Sequence, residues 1–506
     1  MTERDKHEGT PANTGPAGSS TGEAALPAAK KGNGRETLAA RRMRQDWTQG
    51  SILKNLLVLS WPMTVTQTLM TLGPTIDLIW VGKLGAVAVA GVGVSGVVVQ
   101  LAQGAMMGLT AGMRALIARA IGAKNNEEAL RVAQHAVIIS FAYAVLMALI
   151  GHFFAEGIIR FITTEPDIVA VGTMYMRIEF FGGATVSFRM MMDSIMQASG
   201  DSMNPMQIAM VYRVFHVILC PFMIFGAAFA PTIFPHLGAN FSGWWPFPAL
   251  GVRGAAFTSI IAQSVGVLLG LRVLIGARSR LKLTFKGFKF DLAIIWRIIR
   301  IGFPALVSGM QRTLNQFIIQ KFMAPFGASV LAAHVITQRL EMLIFMPAMS
   351  FGMGAGVLVG QNLGAKQPER AEKSAWMAVV LVEAFVIVVA GAMFIWTGPV
   401  IRIFNSDPTM DAVAIQFIHI AIYGWVLIGF MFVLMNSLQG AGDTVPTMII
   451  SIVTTWVITI PLAYFLPKYT SFGAVGIRWA LTASTIAGAV ANVIYFRTGK
   501  WKTRRV

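Results

Sequence analysis

Charged residues are scarce in this sequence. They make up 13% of its 506 residues, whereas an ordinary soluble protein carries about a quarter. Hydrophobic residues account for 55%, and they fall in long blocks separated by short polar clusters. This distribution excludes an ordinary soluble domain and predicts a polytopic helical membrane protein.

Cysteine is almost absent as well. The one cysteine, Cys220, lies inside an apolar block, which excludes a disulfide framework. The seven histidines form no HExxH pattern, and Cys220 has no obvious base to activate it. We therefore expect no metal, no cofactor and no catalytic constellation, and a membrane-embedded enzyme is a remote alternative.

The N-terminal stretch has no apolar run. Residues 1–46 are rich in Gly, Ala, Pro, Thr and charge, which predicts a disordered arm rather than a cleavable signal peptide. The rest of the chain holds twelve blocks of roughly the 20 mostly apolar residues that a spanning helix needs. We place these blocks at 53–80, 87–112, 130–153, 169–198, 205–229, 251–276, 298–322, 328–354, 372–397, 409–438, 446–466 and 472–496.

The net charge of +18 comes from basic clusters that alternate with connections poor in charge. Lysines and arginines gather before the first helix, after the second, sixth and eighth helices, and after the last. With an even number of spans, all these clusters fall on one side, which the positive-inside rule makes cytoplasmic. We expect a multi-pass protein of the plasma (inner) membrane with both termini in the cytoplasm and no nucleic-acid partner.

A shift of 242 residues aligns two halves of the chain in a constant register. Matches extend through five helices, which indicates an internal repeat. Each half holds six helices, so both halves have the same orientation and should be related by a pseudo-two-fold axis along the membrane normal. The matched positions include Pro62 with Pro304, Gly85 with Gly327, 122–124 with 364–366, and 200–201 with 442–443.

These segments, in this order and spacing, resemble the multidrug and toxic-compound extrusion transporters. Residues 62–85, with Val-Gly-Lys-Leu-Gly after Asp77, resemble the first helix of that family. Residues 118–123 and 359–365 resemble its segments after helices two and eight, and the Gly-Asp turns at 200–201 and 439–443 resemble those after helices four and ten. The resemblance covers about residues 50–500. It implies a monomeric antiporter that expels amphipathic, often cationic compounds against an inward flow of protons or sodium ions.

Asp77 is the foremost candidate for ion coupling. A carboxylate in a membrane helix costs roughly 2.5–3.5 kcal/mol on insertion scales, so it is expected to face a cavity and to function there. The alternative is an interfacial Asp that water reaches from the outer leaflet. Pro74 has no N–H for the carbonyl of Met70 and favours a bend, which makes it a candidate hinge beside a titratable acid. The resemblance implies that the position of Asp77 carries the coupling cation.

The resemblance also implies partners for this acid, and the chain departs from the family at each of them. One branch places an Asn and an Asp in helix five, and the matching positions here are His216 and Cys220. Another branch places a Glu in helix seven and an Asp in helix ten, where this chain has Arg312 and Ile428. Hard cations such as sodium prefer several oxygen ligands, so the departures favour proton coupling with His216 tuning Asp77. The alternative for His216 is a core histidine that is bonded to a helix carbonyl.

Helix eight carries a second group of polar candidates. His334, Gln338 and Glu341 lie three or four residues apart and share one face, whereas Arg339 points elsewhere. Arg312 in helix seven requires an anion, and we expect Glu341 to be its partner. This pair is either purely structural or part of a second titrating or substrate-contacting site.

Helix seven adds the amides Gln311, Asn315, Gln316 and Gln320, which predict a cavity-lining face. The alternative is hydrogen bonding between helices, which is common in membranes. A small-molecule substrate is expected between the two halves.

Charges in helices four and five have simpler interpretations. Arg189 and Asp193 are spaced for an intrahelical ion pair. Arg177 and Glu179 lie nearer the outer end of helix four, and Arg213 lies nearer the cytoplasmic end of helix five. These three side chains are expected to reach the membrane interface.

The sequence thus predicts an all-α integral membrane protein with twelve transmembrane helices in two six-helix repeats. A transporter that works by alternating access fits best, and a flippase for lipid-linked precursors is the alternative. The expected parts are the arm 1–46, a bundle 47–276, a basic linker 277–297, a bundle 298–496 and a basic tail 497–506.

Overall fold

Twelve helical spans make up almost all of the computed structural model, which describes residues 45–226, 248–276, 279–402 and 408–504. The expected arm 1–46 therefore lies outside the described residues, apart from its last two. Two of the spans are broken into segments a and b. The first half contains α1 (Ile52–Val81), α2 (Ala86–Gly122), α3 (Asn126–Phe153), α4a (Pro166–Phe181), α4b (Gly183–Ala198), α5 (Met203–Phe225) and α6 (Val252–Ile275). The second contains α7 (Leu292–Met323), α8 (Ala328–Gly364), α9 (Pro368–Arg402), α10a (Pro408–Trp425), α10b (Ile428–Gly440), α11 (Val445–Tyr469) and α12 (Ala474–Arg497).

Most of these spans are apolar enough to cross a membrane. By length and composition, nine helices of the described chain meet that requirement, and the α10 segments, which meet at 47°, form a tenth span. The other two, α1 and α4, carry more polar side chains, and these include the candidate coupling residue. The predicted twelve-span, all-helical architecture is confirmed.

Several helices extend beyond their predicted ends. The structure continues α2 to Gly122 and α8 to Gly364, where the apolar runs predicted ends at 112 and 354. A short helix, Ala155–Ile162, lies in the predicted connection after α3, and residues 453–459 of α11 form a π-helical segment. Hydrophobicity reports the length inside the bilayer, whereas backbone hydrogen bonding continues past it.

The internal repeat is visible in the backbone. Lys124 and Lys366, which the 242-residue shift aligns, have the unusual φ angles of 58° and 59°. Their N–H groups donate to the carbonyls of Ile121 and Leu363 at 2.9 and 3.0 Å, so α2 and α8 end in the same way. Left-handed residues in this position commonly close helices.

The two halves meet closely along α2 and α7. A Cβ at Gly108 would lie 2.1 Å from the Cα of Leu306, and one at Gly112 would lie 2.6 Å from the backbone nitrogen of Gly302. Small residues at this spacing let membrane helices approach until their backbones touch. These contacts lie in the parts of α2 and α7 nearer one face of the bundle.

We call this face, where residues 45–51 and 498–504 lie, the terminal face. The halves are joined there by side chains as well. The side-chain amide of Gln361 donates to the carbonyl of Ala198 at 2.9 Å, and Arg297 pairs with Glu128 at 2.7 Å. The structure is therefore closed between the halves at the terminal face.

Candidate functional site

Asp77 is the centre of a buried polar cluster. The thiol of Cys220 donates to its Oδ1 at 3.3 Å, and Nε2 of His216 lies 3.2 Å from the same oxygen. The hydroxyl of Ser259 donates to Oδ2 at 3.4 Å. Asp77 is only 4% exposed. Three helices, α1, α5 and α6, thus converge on one carboxylate, and the two α5 residues reach it because they are four apart on one face.

A second carboxylate belongs to the same cluster. Glu179 of α4a is 8% exposed and interacts electrostatically with Asp77 and with the hydroxyl of Tyr175, four residues earlier. The expectation that Glu179 reaches the membrane interface is therefore wrong. Position along a helix indicates depth, but not the neighbour that a side chain faces. The tyrosine at i−4 was the available signal for an inward-facing side chain.

Arg213 fills the place that Pro74 leaves open. One guanidinium nitrogen donates to the carbonyl of Met70 at 3.3 Å, which is the carbonyl that lacks an N–H donor from position 74. Gly73 makes room for it, because a Cβ there would lie 2.1 Å from the Arg213 Nη1. The expectation that Arg213 reaches the interface is also wrong. A long side chain in a membrane turns towards the nearest unsatisfied acceptor.

His216 connects this guanidinium to the acid. Its Nδ1 lies 3.4 Å from Nη1 of Arg213, and a guanidinium has donors only, so Nδ1 accepts. The Nε2 then carries the ring proton and points towards Asp77. We infer this tautomer from the contacts. The result is a continuous path from the Asp77 carboxylate through His216 and Arg213 to the Met70 carbonyl at Pro74, within a helix that runs unbroken from Ile52 to Val81.

The second half contains a different charged centre. Arg478 of α12, only 1% exposed in its side chain, pairs with Glu341 at 2.5 Å. The indole N–H of Trp425 donates to the same carboxylate oxygen at 3.5 Å. The expected pair between Arg312 and Glu341 is wrong, because helix twelve supplies a closer cation. The one charge within the apolar run of that helix was the signal for it.

Arg312 instead lies against aromatic rings. Its guanidinium carbon is 5.5 Å from the ring centre of Phe345 and 5.4 Å from that of Phe432. Among the described carboxylates, none comes within 4.0 Å of it. Cation–π contacts contribute about 0.5–2 kcal/mol each, so the aromatic rings stabilise this charge in the absence of an anion.

The remaining candidates of α7 and α8 are spread over several environments. Gln311 exchanges hydrogen bonds with Ser451 of α11 at 3.4 Å, and Oδ1 of Asn315 is buried with no partner in the described part of the chain. His334 is fully buried, and both its ring nitrogens lack partners there as well. Gln338 is half-buried and Arg339 is exposed. The structure does not gather these residues into one site.

Three further ionic side chains have structural roles. Arg189 and Asp193 pair at 2.6 Å, which confirms the predicted intrahelical pair. Glu383 of α9 accepts a hydrogen bond from the backbone N–H of Phe430 at 3.0 Å. That N–H belongs to the first turn of α10b, where an acid is favoured by the helix dipole. Sequence reasoning missed Glu383, because the break in the tenth span has no proline to indicate it.

Fold and site together define a helical membrane protein of two repeats, with one polar centre in each half. The MatE family model matches residues 62–222 and 304–465, one stretch in each repeat. The chain belongs to the MatE family.

Relatives and solved structures agree with this assignment. The chain is 27% identical over 462 residues to the probable multidrug resistance protein NorM of Thermotoga maritima, covering 90% of this chain and 94% of the relative. It is 22% identical over 480 residues to the probable multidrug resistance protein YoeA of Bacillus subtilis, covering 93% and 99%.

Two solved structures share the fold. One is a multidrug resistance MATE family transporter in an outward-facing conformation, with a TM-score of 0.81, 22% identity and coverage of 92% of this chain and 98% of that one. The other is a transporter from Pyrococcus furiosus whose binding pocket is described as having reverse polarity, with a TM-score of 0.80, 22% identity and coverage of 89% and 96%.

Proposed function

We propose that this protein exports small organic, often cationic, compounds by alternating access, and that inward proton flow through Asp77 drives the export. The observation that carries the proposal is the buried carboxylate of Asp77, linked through His216 and Arg213 to the backbone at Pro74. Family membership and the names of the two relatives support multidrug efflux.

A proton fits the Asp77 cluster better than a sodium ion. Among the described residues, three side chains contact Asp77 directly: Ser259 offers oxygen, whereas His216 and Cys220 offer nitrogen and sulfur. A hard cation prefers a shell of oxygen ligands. A proton needs one basic oxygen, and Glu179 nearby provides a second carboxylate that can share it.

The alternation of basic clusters supports a cytoplasmic terminal face. The state closed at that face is then the outward-facing state. Asp77, in the part of α1 farther from this face, would meet the more acidic side in that state. The membrane potential adds about 2.3 kcal/mol per charge per 100 mV to inward proton movement.

Protonation of Asp77 is the proposed switch. The neutral carboxyl no longer attracts the N–H of His216 as a charge, so His216 and Arg213 loosen from each other and from the Met70 carbonyl. Helix α1 can then bend at Pro74, because the missing backbone N–H removes a hydrogen bond that would hold the helix straight there. The cavity of the first half shrinks, the cationic substrate leaves, and the protonated protein returns to the inward-facing state.

Efflux of a fluorescent cation from proteoliposomes tests this proposal. We expect an imposed proton gradient, and not a sodium gradient, to drive export by the wild type. The Asp77→Asn variant should fold normally and lose proton-driven export, because an amide does not titrate. Retained export in this variant would exclude Asp77 as the coupling group. Failure of both gradients in the wild type would favour a flippase for lipid-linked precursors.

A further inference from the structure

The interior of the second half carries positive charge that its own acids do not balance. Glu341 is paired with Arg478, and Glu383 is bound to the backbone N–H of Phe430. Arg312 has no carboxylate within 4.0 Å among the residues that the structure describes. The first half differs, since Asp77 and Glu179 place two carboxylates at its polar centre.

Three helices build the surroundings of Arg312. It projects from α7 between Phe345 of α8 and Phe432 of α10b, whose rings meet edge to face at 4.5 Å between centroids. Rings on which a guanidinium packs hold its plane in place and leave its N–H edge free. Within the described chain, none of the Arg312 N–H groups has a hydrogen-bond acceptor, and the side chain is half-buried.

A guanidinium held in this way is a receptor for a planar anion. Its N–H donors form a fork whose geometry matches two oxygens of a carboxylate or a phosphate, and such bonds are stronger than neutral ones. The flanking aromatic rings cover the guanidinium on two sides. Phe432 is buried, whereas Phe345 is half-buried and offers a surface on which an aromatic substrate can stack.

We propose that Arg312 binds the anionic group of the substrate, a carboxylate or a phosphate. The proposal rests on the proposed function for its placement in an export cavity. Binding of the anion by Arg312 can be measured without transport.

The dyes rhodamine 110 and rhodamine 123 provide a matched pair of probes. Rhodamine 123 is the methyl ester of rhodamine 110, so the two share one aromatic body and differ in the free carboxylate. Equilibrium binding to the purified full-length protein in detergent is followed by fluorescence anisotropy. The variants are Arg312→Gln, Arg312→Lys and the control Arg402→Gln, whose side chain is 76% exposed at the end of α9.

We expect Arg312→Gln to weaken binding of rhodamine 110 roughly tenfold or more, and that of rhodamine 123 by less than about twofold. The lysine variant should keep part of the affinity, because it keeps the charge but not the fork. The control should bind both dyes like the wild type. Equal losses for both dyes, no loss for rhodamine 110, or no binding of rhodamine 110 by the wild type would each overturn the proposal.

Two further experiments complete the test. The first distinguishes the possible sources of the anion, and the second tests the proposed function independently of the anion site. Competition of phosphatidylglycerol with rhodamine 110 in the wild type, weakened in Arg312→Gln, would assign the site to a lipid phosphate. No competition assigns it to a soluble anion. Proton-driven export of rhodamine 123 tests the proposed function separately. Its failure alongside the expected binding result removes proton-coupled export and leaves the anion site standing.

Discussion

The stability of a buried charged residue in this protein depends on its partner, and the pair of Glu341 and Arg478 is an example. The Arg478 side chain is 1% exposed, whereas that of Glu341 is 31% exposed. Removing the acid would leave a guanidinium in the interior without a counter-charge. Breaking a buried pair costs more than forming it gains.

We predict that Glu341→Gln lowers the free energy of unfolding by about 2–3 kcal/mol, somewhat less than for a fully buried pair, because Glu341 is partly open to solvent. Thermal unfolding of the purified protein in detergent measures the loss. Glu372→Gln is the control, since its pair with Lys502 is about one-third exposed on both sides and should cost under about 1 kcal/mol. Equal losses in the two variants would show that Arg478 finds another anion.

At the scale of a helix, α1 combines a proline, a glycine and a carboxylate within one turn. Pro74 removes a backbone donor, Gly73 admits the guanidinium, and Asp77 lies at the far end of the path from Arg213. The helix nevertheless remains continuous in this state. The side chain of Arg213, which belongs to α5, therefore completes the hydrogen bonding of the α1 backbone. This hydrogen bond can be broken without unfolding the helix.

We predict that Pro74→Ala raises the melting temperature and slows proton-driven export. The new N–H at position 74 can donate to the Met70 carbonyl and displace Arg213, and alanine is up to about 3 kcal/mol better than proline in a helix interior. Pro347→Ala in α8 is the control, because it should add stability without slowing export. Unchanged export by Pro74→Ala would mean that no bend at this position is needed.

At the scale of the whole molecule, a stripe of glycines brings the backbones of the two halves into contact, beside apolar side chains such as Ile298 and Ile301 of α7. Gly104, Gly108 and Gly112 of α2 face the region of α7 from Gly302 to Gly309. In lipid there is no hydrophobic force between helices, so close backbone packing takes its place. A side chain larger than glycine would prevent this close contact. The smooth backbone surfaces allow the two halves to separate and to close again.

We predict that Gly108→Val prevents closure at the terminal face. Its side chain would meet the backbone at Leu306, and overpacking of this kind costs about 1–3 kcal/mol. Both the melting temperature and the export rate should fall. Gly96→Val, in the same helix, serves as the control, because a Cβ at Gly96 would have no neighbouring atom within 4 Å. If both variants lose the same stability, the effect comes from valine in α2 and not from the interface.

The sequence by itself determined the number of spans, the even count and the two-repeat register. Long apolar blocks must become helices in lipid, and a constant shift requires two similar halves. It also indicated Asp77 and, through family resemblance, His216 and Cys220, which the structure places in contact with it.

Only the tertiary structure decided which charges meet. Arg213 and Arg478 each contact a partner on another helix, and Glu179 lies near Asp77 of α1. The sequence indicates depth and helical face, but not which side chain of a neighbouring helix lies opposite. A long side chain can reach hydrogen-bond or ion-pair partners in several directions, and the packing of the whole bundle selects one of them. For the same reason, Arg312 lost its predicted acid and is left with two aromatic rings.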